Sequence, residues 1–70
     1  GYIQIDEDAK VIIAKMKENG GELNLTDRSS PEIIREKLSM SKSGFKRAIG
    51  RLYKDGAIVI TDRGLKFKDK

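Results

Sequence analysis

Apolar and polar positions along this chain follow two periods in turn. Ala9, Ile12, Ile13 and Met16 recur at i, i+3, i+4 and i+7, the spacing of one helix face, with Val11 off its centre. Asp6, Glu7 and Asp8 precede that stripe and suit the positive end of a helix dipole, so a first helix is predicted to begin near Asp6. Asn19-Gly20-Gly21 ends it. Residues 22–26, Glu-Leu-Asn-Leu-Thr, then alternate strictly, which predicts a short strand with Leu23 and Leu25 inward. Asp27-Arg28-Ser29 reads as a loop, and Ser30-Pro31-Glu32 as a helix start with Ser30 as cap. This second helix runs to about Leu38 and is expected to bury Ile33 or Ile34, the stem of Lys37, and Leu38. Ser39-Met40 makes a tight turn and Ser41 caps a third helix, whose buried face is marked by Phe45, Ala48, Ile49, Leu52 and Tyr53. Residues 57–61 predict a strand, Asp62-Arg63-Gly64 a turn, and Leu65-Lys66-Phe67 a second strand, with Phe67 in the core. Lys68-Asp69-Lys70 reads as a frayed tail.

The order is therefore α-β-α-α-β-β. The second and third helices, joined by a three-residue turn, form a helix-turn-helix. The lone strand at 22–26 can join the 57–67 hairpin, which makes a small three-stranded antiparallel sheet and relieves an isolated edge. The fold class this gives is α+β, a winged helix-turn-helix. Its expected bounds are residues 8–68, with 1–7 a lead-in or linker and 69–70 a tail. Seventy residues make one domain near the lower limit for a self-sufficient core. The first residue is Gly rather than Met, and the expectation is a domain cut from a longer protein, with Gly1 left by cloning.

Charge adds direction to this picture. Residues 1–40 hold six basic and eight acidic residues, a balance of −2, whereas residues 41–70 hold nine basic and three acidic residues, a balance of +6. At 100° per residue the face of the third helix opposite its apolar stripe carries Ser43, Arg47, Gly50, Arg51 and Lys54, with Lys42 and Lys46 on one flank. Residues 42–54 contain five cations and no acid. Like charges at i, i+4 cost a few tenths of a kcal/mol per pair, and glycine inside a helix costs about 1 kcal/mol against alanine. A helix that tolerates both on one exposed face is suited to a polyanion. Arg47, Arg51 and Lys54 lead the candidates for phosphate contact, followed by Lys42, Ser43, Lys46 and, from the wing, Arg63 and Lys66. Ser41 is a plain cap, and Tyr53 is placed in the core with its hydroxyl at the rim.

Other chemistry finds little material. The chain has no cysteine and no histidine, which removes disulfides, thiolate metal sites, the commonest general base and the commonest metal ligand. Asp27 and Glu32 do not converge on an apolar site, and Gly20-Gly21 lacks the lysine and the strand-to-helix setting of a phosphate loop. No cofactor and no enzyme activity are expected. No apolar run approaches the ~20 residues of a membrane span, and no signal-peptide pattern is present, so a cytoplasmic setting without a membrane partner is expected.

Several runs are also familiar. Asn19-Gly20-Gly21, Leu23-x-Leu25-Thr26-Asp27-x-Ser29-Ser30-Pro31-Glu32-x-Ile34, Met40-Ser41-Lys42, Phe45-Lys46-Arg47-Ala48-Ile49-Gly50 and Leu52-Tyr53-Lys54-x-Gly56 resemble the C-terminal winged-helix domain of the conserved virulence factor B family. The resemblance covers roughly Asp8 to Ile60 and is most specific from Met40 to Lys54. It implies a bacterial cytosolic RNA-binding regulator acting after transcription, with OB-fold modules upstream in the same chain and this domain as an accessory nucleic-acid-binding unit. Ser39 stands where the family leads one to expect glycine, and Ser43-Gly44 where it leads one to expect lysine-alanine. The second departure removes a charge from the start of the third helix.

The expected function is nucleic-acid binding, chiefly by phosphate neutralisation, since the third helix has no Asn or Gln to read adenine. The family resemblance, not the residue pattern, favours RNA over DNA. About five phosphate contacts would give a slope of log affinity against log salt of about −3.5 to −4.5. The alternatives are a DNA-binding regulator and a protein-interaction module, the latter requiring an apolar patch such as one around Tyr2, Ile3 and Ile5.

Overall fold

Ala9, Ile12 and Met16 turn inward from helix α1 (Glu7–Glu18), as the helical spacing requires. The computed structural model describes residues 7–68; Asp6, the patch proposed around Tyr2, Ile3 and Ile5, and the tail at 69–70 lie outside them, while α1 takes in Glu7 of the expected lead-in. Three helices and three strands follow one another as α1, β1 (Glu22–Leu23), α2 (Pro31–Leu38), α3 (Lys42–Lys54), β2 (Ile58–Ile60) and β3 (Leu65–Phe67). The strands form one antiparallel sheet in the order β1-β3-β2, with Leu23 opposite Leu65 and Ile60 opposite Leu65 across the two ladders. This is the winged helix the sequence predicts.

Turn chemistry fixes where each helix stops. At the end of α1 the Gly21 amide donates to the Met16 carbonyl at 2.7 Å and the Gly20 amide to Lys17 at 3.4 Å, with Gly20 at φ +74°. The end of α3 repeats the pattern: Ala57 N–H to Leu52 O at 2.9 Å, Gly56 N–H to Tyr53 O at 3.0 Å, and Gly56 at φ +77°. Both are Schellman terminations, which need a left-handed residue that glycine supplies at least cost. Ser30 accepts from the Ile33 amide at 3.3 Å and Ser41 from the Gly44 amide at 3.1 Å, so both serines cap as expected.

Ser39 is the exception among these turns. It sits at φ 58°, ψ 36°, the left-handed region, and its N–H donates to the Arg35 carbonyl at 2.8 Å. An L-residue is strained there by roughly 1–2 kcal/mol, which is the physical reason glycine suits this position. Ser39→Gly should therefore raise stability by about 0.5–1 kcal/mol net of the added freedom of the unfolded chain. That corresponds to roughly 2 to 8 °C in the thermal midpoint of a domain this size. A midpoint that falls would show that the turn does not depend on this backbone conformation.

One apolar cluster holds the layers together, with Phe45, Ile12, Met16, Leu25, Ile34, Ile58 and Leu65 as its largest fully buried side chains. Helix α3 is central to it, packing on α1, α2 and β2. Several expectations need correction. The strand expected over 22–26 is only Glu22–Leu23, because β3 offers three residues and the ladder runs out at Leu23–Leu65; Leu25 is buried without strand pairing. Of the two isoleucines in α2, Ile34 is in the core and Ile33 is exposed, while Lys37 as a whole residue is exposed. Phe67 is half-buried against the core rather than inside it. Lys68 is tied down rather than frayed, its amide donating to Ala57 O at 3.1 Å. Tyr53 is not in the core: 59% of its surface is exposed.

Candidate nucleic-acid interface

Burial of Phe45, Ala48, Ile49 and Leu52 fixes the roll of α3, and this decides which side chains it presents to solvent. The outward arc runs from Tyr53 and Lys46 on one side, through Gly50, Ser43 and Lys54, to Arg47 and Arg51 on the other; all seven residues are exposed. Lys42, the first residue of the helix, is half-buried. Six of the eight candidate residues thus belong to a single helix. Lys46, Arg47 and Lys54 form no ion pair among the described residues, whereas Arg51 Nε lies 3.8 Å from Asp55 Oδ2. That exposed pair contributes little to stability, but it sets an acid beside Arg51.

An acid also reaches the start of α3, from outside the 42–54 window. A methyl group at position 44 would lie 2.6 Å from an Asp8 carboxylate oxygen, so Gly44 leaves room for the α1 carboxylate beside the first turn of α3. The positive end of the helix dipole thus faces a carboxylate of the same chain. A side chain at position 44 would have to displace this carboxylate. The carboxylate also shifts the free positive field toward the middle and C-terminal half of α3. No local pattern could have revealed it, since Asp8 and Gly44 meet only through the packing of α1 on α3.

The wing is a two-residue loop. Thr61 N–H donates to Gly64 O at 2.8 Å, and Thr61 Oγ1 accepts from the amides of Arg63 and Gly64 at 3.2 and 3.1 Å. Arg63 is exposed at its tip. Lys66 stands across from Glu22 and Val59 in the ladders, on the sheet face opposite that of buried Leu23, Leu65 and Ile58. The pleat therefore separates Lys66 from the core helices and places an acid beside it.

A surface concavity of about 670 Å³ is lined by Lys15, Glu18, Asn19, Glu22, Leu23, Asn24, Glu36 and Lys37. Its three glutamates suit a polyanion poorly, and no residue of α3 reaches it. Among the described residues there is no cluster of acidic side chains able to hold a metal ion and no helix long and apolar enough to cross a membrane.

Comparison with known proteins agrees with this architecture. The chain is 46% identical over 68 residues to conserved virulence factor B of Staphylococcus aureus strains USA300 and NCTC 8325 / PS 47, covering 87% of this chain and 23% of each relative. It thus spans about a quarter of the length of those proteins. Among solved structures, it superimposes on a multidomain protein with nucleic acid binding domains from Streptococcus pneumoniae TIGR4 with a TM-score of 0.87 and 34% identity, covering 96% of this chain and 24% of that one. Residues 10–67 match the CvfB-like winged helix domain, and the chain belongs to that family.

Proposed function

We propose that this domain binds nucleic acid, RNA in preference to DNA, as a non-catalytic module of a bacterial cytoplasmic regulator that acts after transcription. One observation carries the reading: α3 is anchored by four buried side chains and turns Lys46, Arg47 and Lys54 outward with no acid paired to them among the described residues. Arg51, Lys42, Ser43, Arg63 and Lys66 are secondary contacts. Kinship with a protein described as having nucleic acid binding domains supports the nucleic-acid ligand. The RNA preference, and OB-fold modules upstream as intramolecular partners, follow from the family resemblance and from relatives about four times longer.

Phosphate neutralisation has a measurable signature. With roughly four contacts to a single strand, log affinity should fall against log salt with a slope of about −3. Anisotropy of a labelled single-stranded RNA, titrated from low to moderate salt, measures it. Unlabelled duplex DNA should compete weakly, because an RNA-specific face does not require a helix in a major groove. A slope near zero would point to a protein partner, and stronger competition by duplex DNA would make the domain a DNA-binding regulator.

A further inference from the structure

Tyr53 is the feature of α3 that phosphate binding does not use. More than half of its surface is in water, and it is absent from the half-buried apolar residues that pack on the core, namely Val11, Ile13, Ala57 and Phe67. On the helical wheel it shares an azimuth with Lys46, seven residues earlier, and Gly50 lies between them. A methyl group at position 50 would meet nothing within 4 Å beyond its own helix backbone, so Gly50 leaves that backbone bare in the middle of the exposed face. Arg47 and Lys54 border this bare patch on its other side, one turn before and one turn after Gly50. Tyrosine and glycine are both weaker helix formers than the alternatives available at an exposed site. Here they stand one turn apart among three cations that form no ion pair among the described residues.

We propose that Tyr53, Gly50 and Lys46 form a seat for one unpaired base, so that the domain takes single-stranded nucleic acid in preference to duplex. The proposal rests on the nucleic-acid reading above and specifies its ligand. The base lies against the tyrosine ring, the sugar and backbone pass over the gap at Gly50, and Lys46, Arg47 and Lys54 hold the flanking phosphates. An aromatic face stacks any base, so this seat adds affinity without strong sequence preference. It works only when the base is free, because a paired base already has both faces covered by its neighbours in the duplex. The positive charge around the ring supplies complementarity to a strand and would repel a cationic peptide.

The test compares a labelled 12-nucleotide oligouridine with an RNA hairpin duplex of equal phosphate number, using the wild-type chain and Tyr53→Phe, Tyr53→Ala and Gly50→Ala variants. Thermal melts confirm that each variant folds. Tyr53→Ala should weaken single-strand binding about tenfold, within the range measured for base–aromatic stacking, while the salt slope stays the same because no charge is removed. Tyr53→Phe keeps the ring and should keep the affinity. Gly50→Ala should weaken single-strand binding severalfold while making the helix more stable. In a Tyr2→Phe background the emission of Tyr53 should fall as oligouridine binds. Equal single-strand affinity of wild type and Tyr53→Ala, without quenching, overturns the seat and leaves the phosphate-binding face standing. Equal losses on single strand and duplex also overturn it, by assigning Tyr53 to the fold. Failure of the wild type to bind either RNA overturns the nucleic-acid reading itself.

Discussion

Alanine in place of Gly64 should remove about 3–5 kcal/mol of stability, the largest loss expected from any glycine in this chain. Gly64 has φ +150°, a backbone state L-residues rarely adopt, and a Cβ there would collide with the Leu23 carbonyl oxygen. The added methyl would also lie 3.0 Å from Asn24 Cα, and none of these atoms is the end of a flexible side chain. Backbone strain of roughly 1–3 kcal/mol and overpacking of similar size act together. A 70-residue domain has only about 4–10 kcal/mol in total, so the variant stands near the limit of folding. The collision also has a location: the wing would be pushed off β1, breaking the Leu23–Leu65 end of the ladder. Urea or thermal unfolding measures the loss, expected at roughly 12 °C or more. Gly20→Ala is the control, since Gly20 also has positive φ, +74°, but nothing within 4 Å of the added carbon, and it should lose about 1 kcal/mol. Equal losses at the two positions would show that close approach to β1 is not what position 64 requires.

The same contact explains what the sequence could and could not disclose about the wing. Asp62-Arg63-Gly64 is legible as a turn, yet hairpin loops of two residues favour central residues with positive φ. Asp62 and Arg63 are not among the residues with positive φ; the left-handed burden falls on Gly64, where the loop meets β1. Whether a turn glycine is merely convenient or required depends on what lies beside it, and Leu23 is some forty positions away in the chain. Alternation overextends the strand over 22–26 for a related reason: it reports which side chains face the core, and Leu23 and Leu25 both do, but not how many partner residues are available.

For α3 the periodicity places Phe45, Ala48, Ile49 and Leu52 correctly because they lie near the middle of the apolar arc. Tyr53 and Ile33 sit at arc edges, where burial depends on how far a neighbouring element wraps around the helix. Azimuth alone cannot decide that. The consequence for the site is larger than one residue, since a tyrosine assigned to the core is not considered as a contact. The charge pattern behaves in the same way. Five cations without an acid over 42–54 is a true statement about the sequence, but Asp55 and Asp8 restore acid at the two ends of the helix through an i, i+4 pair and through tertiary packing.

Those two acids decide which charge reversal should matter most. Arg47→Glu together with Lys54→Glu removes two unpaired cations from the middle of the outward arc and puts two anions in their place. Arg51 is the poorer choice, because Asp55 Oδ2 lies 3.8 Å from its Nε and offsets part of its charge. Losing two of roughly four contacts should halve the salt slope, from about −3 to about −1.5, at ~0.7 per phosphate. With the added repulsion, affinity for single-stranded RNA should fall by about a hundredfold, near 2.8 kcal/mol. Stability should stay within about 0.5 kcal/mol of wild type, since both sites are exposed and make no ion pair among the described residues. A glutamate at 47 ends the Arg47–Arg51 repulsion and can pair with Arg51 at i, i+4. A glutamate at 54 instead opposes the negative end of the α3 dipole, so the two effects offset. Unchanged melting with lost binding would place the strand along the middle and C-terminal half of α3. A double variant that binds with the wild-type slope would move the site off this helix face, and the seat at Tyr53 would have to be abandoned with it.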